Sequence, residues 1–258
     1  MKKLSKITKI VNFGCSFAYG NRAESFNKLS DQHRSPATWL SERLNLPEIN
    51  LARPGNSTEG TVDSVIDWIT NTPKSEWRKS LLLVGWTGGH RFGFVSDKNR
   101  PSNKQRPAKS GSIGEFAFTG GPTNMYRYMI DKWDDRWSDQ YINLTETARL
   151  NLYRNIVCLD AIAARYKLNI VQYHSLESRN PNKVDTVIYD ENERMRKLID
   201  TTRFYQFEAD SLQTLTNSDK RRYFVCEDDS HPNHVAYAEW CNRLYDWMAA
   251  NDFWRMRF

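Results

Sequence analysis

Nowhere does this 258-residue chain carry an apolar run approaching the roughly 18 residues a membrane-spanning helix needs, so no membrane role is expected. The opening Met1-Lys2-Lys3 has the basic start of an export signal. The apolar stretch behind it is short and broken by polar residues, and no small-residue cleavage site follows, so no secretion signal is expected. The four cysteines, Cys15, Cys158, Cys226 and Cys241, have no paired spacing. That pattern argues against a zinc site or a disulfide framework and for a reducing, cytoplasmic compartment. No glycine-rich segment ends in Gly-Lys-Ser/Thr, which excludes a phosphate-binding loop. A Gly-x-Ser-x-Gly nucleophile elbow is absent as well, because Ala18 stands two residues after Ser16. With no internal repeat and no inter-domain linker, one domain over residues 1–258 is expected. It would carry an insertion at about 92–143, and no metal or cofactor is expected.

What is present is a basic, aromatic chain. The net charge is +6 and nine residues are tryptophan. Such a surplus attracts polyanions weakly, and ordinary surface charge is its plainer explanation. Apolar runs at Ile7–Gly14, Ile49–Ala52, Ser80–Gly85 and Asn169–His174 read as strands. Helical spacing links Trp39, Leu40 and Leu44 after Ser35-Pro36, then Val62, Val65, Ile66 and Ile69. It returns over Leu144–Leu168, around Glu191–Asp200, and from Pro232 to Ala250. Strands alternating with helices imply an α/β fold, a parallel sheet covered by helices on both faces.

Chemistry-bearing residues recur at the carboxyl ends of these strands, where open α/β sheets bind ligands. Ser16 follows the first strand, after Gly14 permits a sharp exit. Far along the chain, Asp228 and His231 stand three apart in Asp228-Asp229-Ser230-His231-Pro232. A carboxylate so placed can accept the Nδ1 proton and leave Nε2 facing a serine. Adjacent Asp229 would point to the other side. Gly55 and Asn56 follow the second strand. Asn56 has two readings, a contact to a reacting oxygen or a cap on the helix behind it, with Glu59 completing a capping box. Cys15, beside Ser16, reads as a buried inert thiol, and His174 as structural.

Taken in order, the blocks resemble the SGNH (GDSL-type) hydrolase superfamily. Gly14-Cys15-Ser16 is similar to its first block, with Cys15 where Asp is usual. Ala52-Arg53-Pro54-Gly55-Asn56-Ser57 is similar to the second, and Asp228-x-x-His231 to the last. The third departs: Gly85-Trp86-Thr87-Gly88-Gly89-His90-Arg91 stands where Gly-x-Asn-Asp is expected, so Thr87 takes the place of the usual oxyanion asparagine. This Gly-Trp-Thr variant is similar to phage-encoded members.

The resemblance implies a three-layer α/β/α fold with a central parallel sheet of about five strands. It implies an ester hydrolase acting on a small-molecule or glycan acyl ester, with Ser16, His231 and Asp228 as triad. Gly55, Asn56 and Thr87 would serve the oxyanion, and Trp86, His90 and Arg91 would contact substrate. Losing one oxyanion donor costs on the order of 100- to 1,000-fold in rate, so weak activity is expected. The alternative is a scaffold that binds glycan or nucleic acid through the insertion. From Phe92 to Asn143 periodicity fails; its first half is basic and reads as mobile, its second aromatic.

Overall fold

The computed structural model describes residues 7–20, 34–88, 91–95, 116–117, 125–129, 144–176, 190–207, 210–226, 229–251 and 253, with the backbone alone at 91–95, 116–117, 125–129, 144–148, 190 and 229. Strand β1 (Lys9–Gly14) runs into a short helix, α1 (Ser16–Tyr19). There follow α2 (Pro36–Leu44), β2 (Glu48–Asn50), α3 (Thr58–Asn71), α4 (Lys74–Trp77) and β3 (Ser80–Trp86). The insertion contributes β4 (Arg91–Val95), β5 (Phe116–Ala117) and β6 (Met125–Met129). Next come α5 (Leu144–Tyr166), β7 (Asn169–His174), α6 (Asp190–Arg196), β8 (Phe204–Tyr205), α7 (Leu212–Ser218) and α8 (Lys220–Tyr223). The chain continues through β9 (Phe224–Cys226) and β10 (Asp229–Pro232) to α9 (His234–Ala250).

Five strands pair in the order β2-β1-β3-β7-β8, all parallel. Every residue of β3 and β7 is buried, as central strands are when both sheet faces are covered. Successive residues alternate faces. Ile10, Leu81, Leu83, Val171 and Tyr173 pack with Leu40 of α2, Leu215 of α7 and Trp240 and Leu244 of α9. Val11, Phe13, Leu82, Val84, Trp86 and Ile170 pack with Val65 and Ile69 of α3 and Leu152, Ile156 and Leu159 of α5. The result is a three-layer α/β/α fold. At about 1.5–3 kcal/mol for each fully buried large apolar side chain, these two layers supply its main stabilisation.

Local chemistry sets the ends of the helices. Ser35 caps α2 in a reciprocal capping box with Thr38, and Pro36 fills the first turn. α3 departs from expectation, since its cap is Ser57, which accepts from the Gly60 N–H at 3.0 Å. Asn56 therefore does not cap it. The expected start of the last helix at Pro232 is likewise corrected. Pro232 belongs to β10, and Asn233 caps α9 by accepting from Val235 N at 3.0 Å and Ala236 N at 3.1 Å.

The insertion is corrected too. Its aperiodic sequence contains an antiparallel sheet, β4-β6-β5, with Arg91 opposite Met129 and Val95 opposite Met125. The expected mobile stretch between Lys98 and Lys109 lies outside the described residues. Among the described residues, no helix is long and apolar enough to cross a membrane. Phe253 of the aromatic tail is buried against Trp247, with ring centroids 4.9 Å apart.

Candidate active site

The chain goes from β1 over α2 to β2 on one side, then back across β1 to β3 on the other. That reversal leaves a crevice at the carboxyl ends of β1 and β3, the usual binding position in such sheets. Ser16 stands at the end of β1 and Thr87 at the end of β3. Gly14, opposite Gly85 in register, has φ +142°. A Cβ there would lie 2.3 Å from the Gly85 carbonyl oxygen and 2.7 Å from Ala18 Cβ. The strand can therefore turn into α1, and close on β3, only because the side chain is missing.

β10 returns from the far end of the chain, paired antiparallel with β9, and brings His231 to the same edge. His231 Nε2 lies 2.9 Å from Ser16 Oγ. The imidazole packs against Phe17, with ring centroids 5.2 Å apart. Asp228, the expected acid of the triad, lies outside the described residues, and of Asp229 only the backbone in β10 is described. His231 itself lies in β10.

Three residues not singled out from the sequence hold the serine turn. Asn12, a polar interruption in the apolar β1, donates through Nδ2 to the Ala18 carbonyl at 2.7 Å and to Asn50 Oδ1 at 3.0 Å. Asn50, at the end of β2, donates to the Tyr19 carbonyl at 2.8 Å and accepts from Ala52 N at 3.2 Å. Tyr237 of α9 donates to the Phe17 carbonyl at 3.1 Å. A buried amide inside an apolar strand costs stability unless it is bonded. That makes Asn12 the one of the three with a sequence signal.

Gly55 lies in the turn after β2 with φ +71°, in the left-handed region. Among the described residues, neither its N–H nor that of Ser16, first in α1, meets a backbone acceptor. Both are donors available to a ligand oxygen. The Asn56 N–H is occupied by the Arg53 carbonyl at 3.0 Å. Its side chain is buried, with Nδ2 on Thr61 Oγ1 at 3.3 Å and Oδ1 unpartnered. Thr87 is fully buried, and among the described residues its hydroxyl has no partner.

The substrate-contact set fares differently. The Trp86 indole is fully buried on the α3–α5 side of the sheet. Its Nε1 donates to Gln172 Oε1 at 2.8 Å, and Gln172 Nε2 donates in turn to Asp160 Oδ1 at 2.7 Å. Trp86 thus packs the core beneath the site. His90 lies outside the described residues, and of Arg91 only its place at the head of β4 is described. The Cys15 thiol is buried in the opposite core layer. His174, at the end of β7, is buried with both ring nitrogens unpartnered and its ring 4.7 Å from that of Phe204. Burial drops its pKa to about 3, so the imidazole is neutral. Among the described residues, no group of three His, Cys, Asp or Glu side chains could hold a metal ion.

No family model matches the sequence, and no curated protein matches it. Solved structures do. The chain is similar to TesA at 12 % identity, over 95 % of this chain and 99 % of that one, with a TM-score of 0.47. It is similar to a member of the lipolytic protein G-D-S-L family from Veillonella parvula at 13 % identity, over 93 % and 97 %, with a TM-score of 0.44. A third is the lipase/acylhydrolase from Enterococcus faecalis, at 13 % identity over 95 % and 96 %, with a TM-score of 0.40.

Proposed function

We propose that this chain is an SGNH-type serine hydrolase that cleaves acyl esters. The 2.9 Å approach of His231 Nε2 to Ser16 Oγ carries the reading, since a serine is a weak nucleophile until a base is within hydrogen-bond reach. Ser16 Oγ attacks the ester carbonyl while its proton passes to His231. The tetrahedral intermediate collapses, the alcohol leaves with that proton, and the acyl group stays on Ser16. Water then attacks the acyl carbon, gives a proton to His231, and releases the acid as Ser16 takes the proton back. Asp228 is the residue assigned to hold the imidazole tautomer.

The Ser16 and Gly55 N–H groups receive the developing oxyanion, and the unpartnered Thr87 hydroxyl is the third donor. Neutral oxygen bears less charge than the oxyanion, so these donors favour the intermediate over the substrate. The insertion leaves the sheet just after Thr87, and its strand β4 lies beside α3. It is therefore assigned to the side wall that sets substrate size.

The test is labelling by a fluorophosphonate probe with mass-spectrometric location of the adduct, together with hydrolysis of p-nitrophenyl acetate. The label should fall on Ser16. Both label and hydrolysis should vanish in Ser16→Ala and in His231→Ala, with melting temperatures nearly unchanged. A label elsewhere, or hydrolysis that survives Ser16→Ala, overturns the assignment.

A further inference from the structure

At the opposite end of the sheet, by the amino ends of β3 and β7, a cleft of about 490 Å³ opens between α4 and the end of α5. Seven-residue β3 separates it from Thr87 by about 20 Å. Lys74, Trp77 and Arg78 form one wall, and Arg165, Tyr166 and Lys167 the other. Among the described residues, no carboxylate lines it. The acid of α4, Glu76, is engaged by Lys9 at 2.9 Å and Lys79 at 4.0 Å. Lys74, Arg165 and Lys167 have no acidic partner among the described residues.

The aromatic pair is fixed from behind and open in front. The Trp77 indole is buried and donates to the Thr72 carbonyl at 2.9 Å. Tyr166 stands edge-on to it, with centroids 5.4 Å apart and planes at 81°, and remains 43 % exposed. Lys167 adds a second, independent sign. It terminates α5 with φ +55°, and the next N–H, of Leu168, returns to the Ala163 carbonyl at 2.9 Å. This is the left-handed helix-end position where glycine is usual. A lysine there costs stability that glycine would not, and what it adds is a cation at the mouth of the cleft.

We propose that this cleft binds a nucleoside phosphate, with the phosphate among the lysine and arginine heads and the base stacked on the Tyr166 ring. Charge-assisted bonds to phosphate and stacking on an open ring are the two interactions these walls offer together. The volume suits one nucleotide or two. The nucleotide is either free or part of a single strand. The site is independent of the hydrolase assignment, since it shares no residue with the Ser16 edge.

Isothermal titration calorimetry of the whole chain at about 50 mM salt tests it, with ADP, inorganic pyrophosphate and a tetrathymidylate strand as probes. Saturable binding of ADP or of the strand is expected, and the tighter of the two names the source. Tyr166→Ala should weaken the nucleotide probe by about tenfold or more while leaving pyrophosphate nearly unaffected. Lys167→Gly should weaken every phosphate probe by about tenfold while the melting temperature stays equal or rises. A merely structural lysine cannot produce that combination. Absence of saturable binding by both nucleotide probes, or binding that neither substitution moves, overturns the proposal. Loss of ester hydrolysis in Ser16→Ala has no bearing on it, and Lys167→Gly should leave that hydrolysis intact.

Discussion

Tyr237 on the last helix donates its hydroxyl to the carbonyl of Phe17, one residue beyond the serine, at 3.1 Å. The same Phe17 packs its ring against His231. The helix that follows His231 is thereby tied to the turn that carries Ser16 by a bond made by neither residue. Tyr237→Phe removes that bond and keeps the ring. It should cost about 1 kcal/mol of stability and lower kcat with KM little changed, as expected for a positioning residue. Urea melts and steady-state hydrolysis of a small ester measure the two effects. An unchanged kcat would show that the tie is structural only.

Gly14 has no room for a side chain, because an added Cβ would meet the Gly85 carbonyl within a forbidden distance at a backbone angle that side chains avoid. Gly14→Ala should destabilise the fold by roughly 2–5 kcal/mol. In whatever folded protein remains, fluorophosphonate labelling should slow, because β1 and β3 can no longer close on each other. A denaturant midpoint equal to that of the parent would contradict this reading.

Thr87 offers a donor where its buried hydroxyl meets no protein acceptor. Thr87→Val preserves shape and deletes that donor. If the hydroxyl serves the oxyanion, kcat falls by on the order of 100-fold, while stability is kept or rises because an unpaired buried hydroxyl has gone. An undiminished kcat would leave the oxyanion to the Ser16 and Gly55 backbone donors.

His174 makes stability sensitive to acid. Its folded pKa is depressed to about 3 by burial, so the unfolded chain binds a proton that the native protein refuses. The neutral ring's contribution is whole above the ordinary histidine pKa and is lost as pH falls from there toward about 3. The loss approaches 1.4 kcal/mol for each pH unit. Between pH 6.5 and 5 the parent should lose up to about 2 kcal/mol relative to His174→Phe, whose ring keeps the packing against Phe204. Carboxylates titrate in both proteins and cancel in the difference. Parallel stability curves would refute the claim.

The layered fold was legible because strand-like runs alternate with amphipathic helices, and β3 is apolar through Leu81–Val84, which a sheet covered on both faces accommodates. The same uniformity hid which face each residue takes. Trp86 shares the parity of Leu82 and Val84 and so falls into the core, but nothing in an all-apolar strand announces that parity. Asn56 and Ser57 are both good caps, and which one serves depends on where the turn through Gly55 ends. The insertion's strands escaped notice because β5 has two residues and its partners are far apart in sequence. Asn50 ends β2, and its value lies in bonds to a segment more than 30 residues earlier, which its local sequence does not show.

Ser16 and His231 lie 215 residues apart, and this spacing has a meaning in time. At about 5–20 residues per second, a ribosome completes His231 roughly 10–40 s after Ser16. Throughout that interval the serine is an ordinary alcohol, with β10 not yet made and α9 not yet closing the layer behind Phe17. On the proposed reading, the nascent chain is therefore chemically silent toward esters until His231 has been made, and reactivity arrives with the packing of α9.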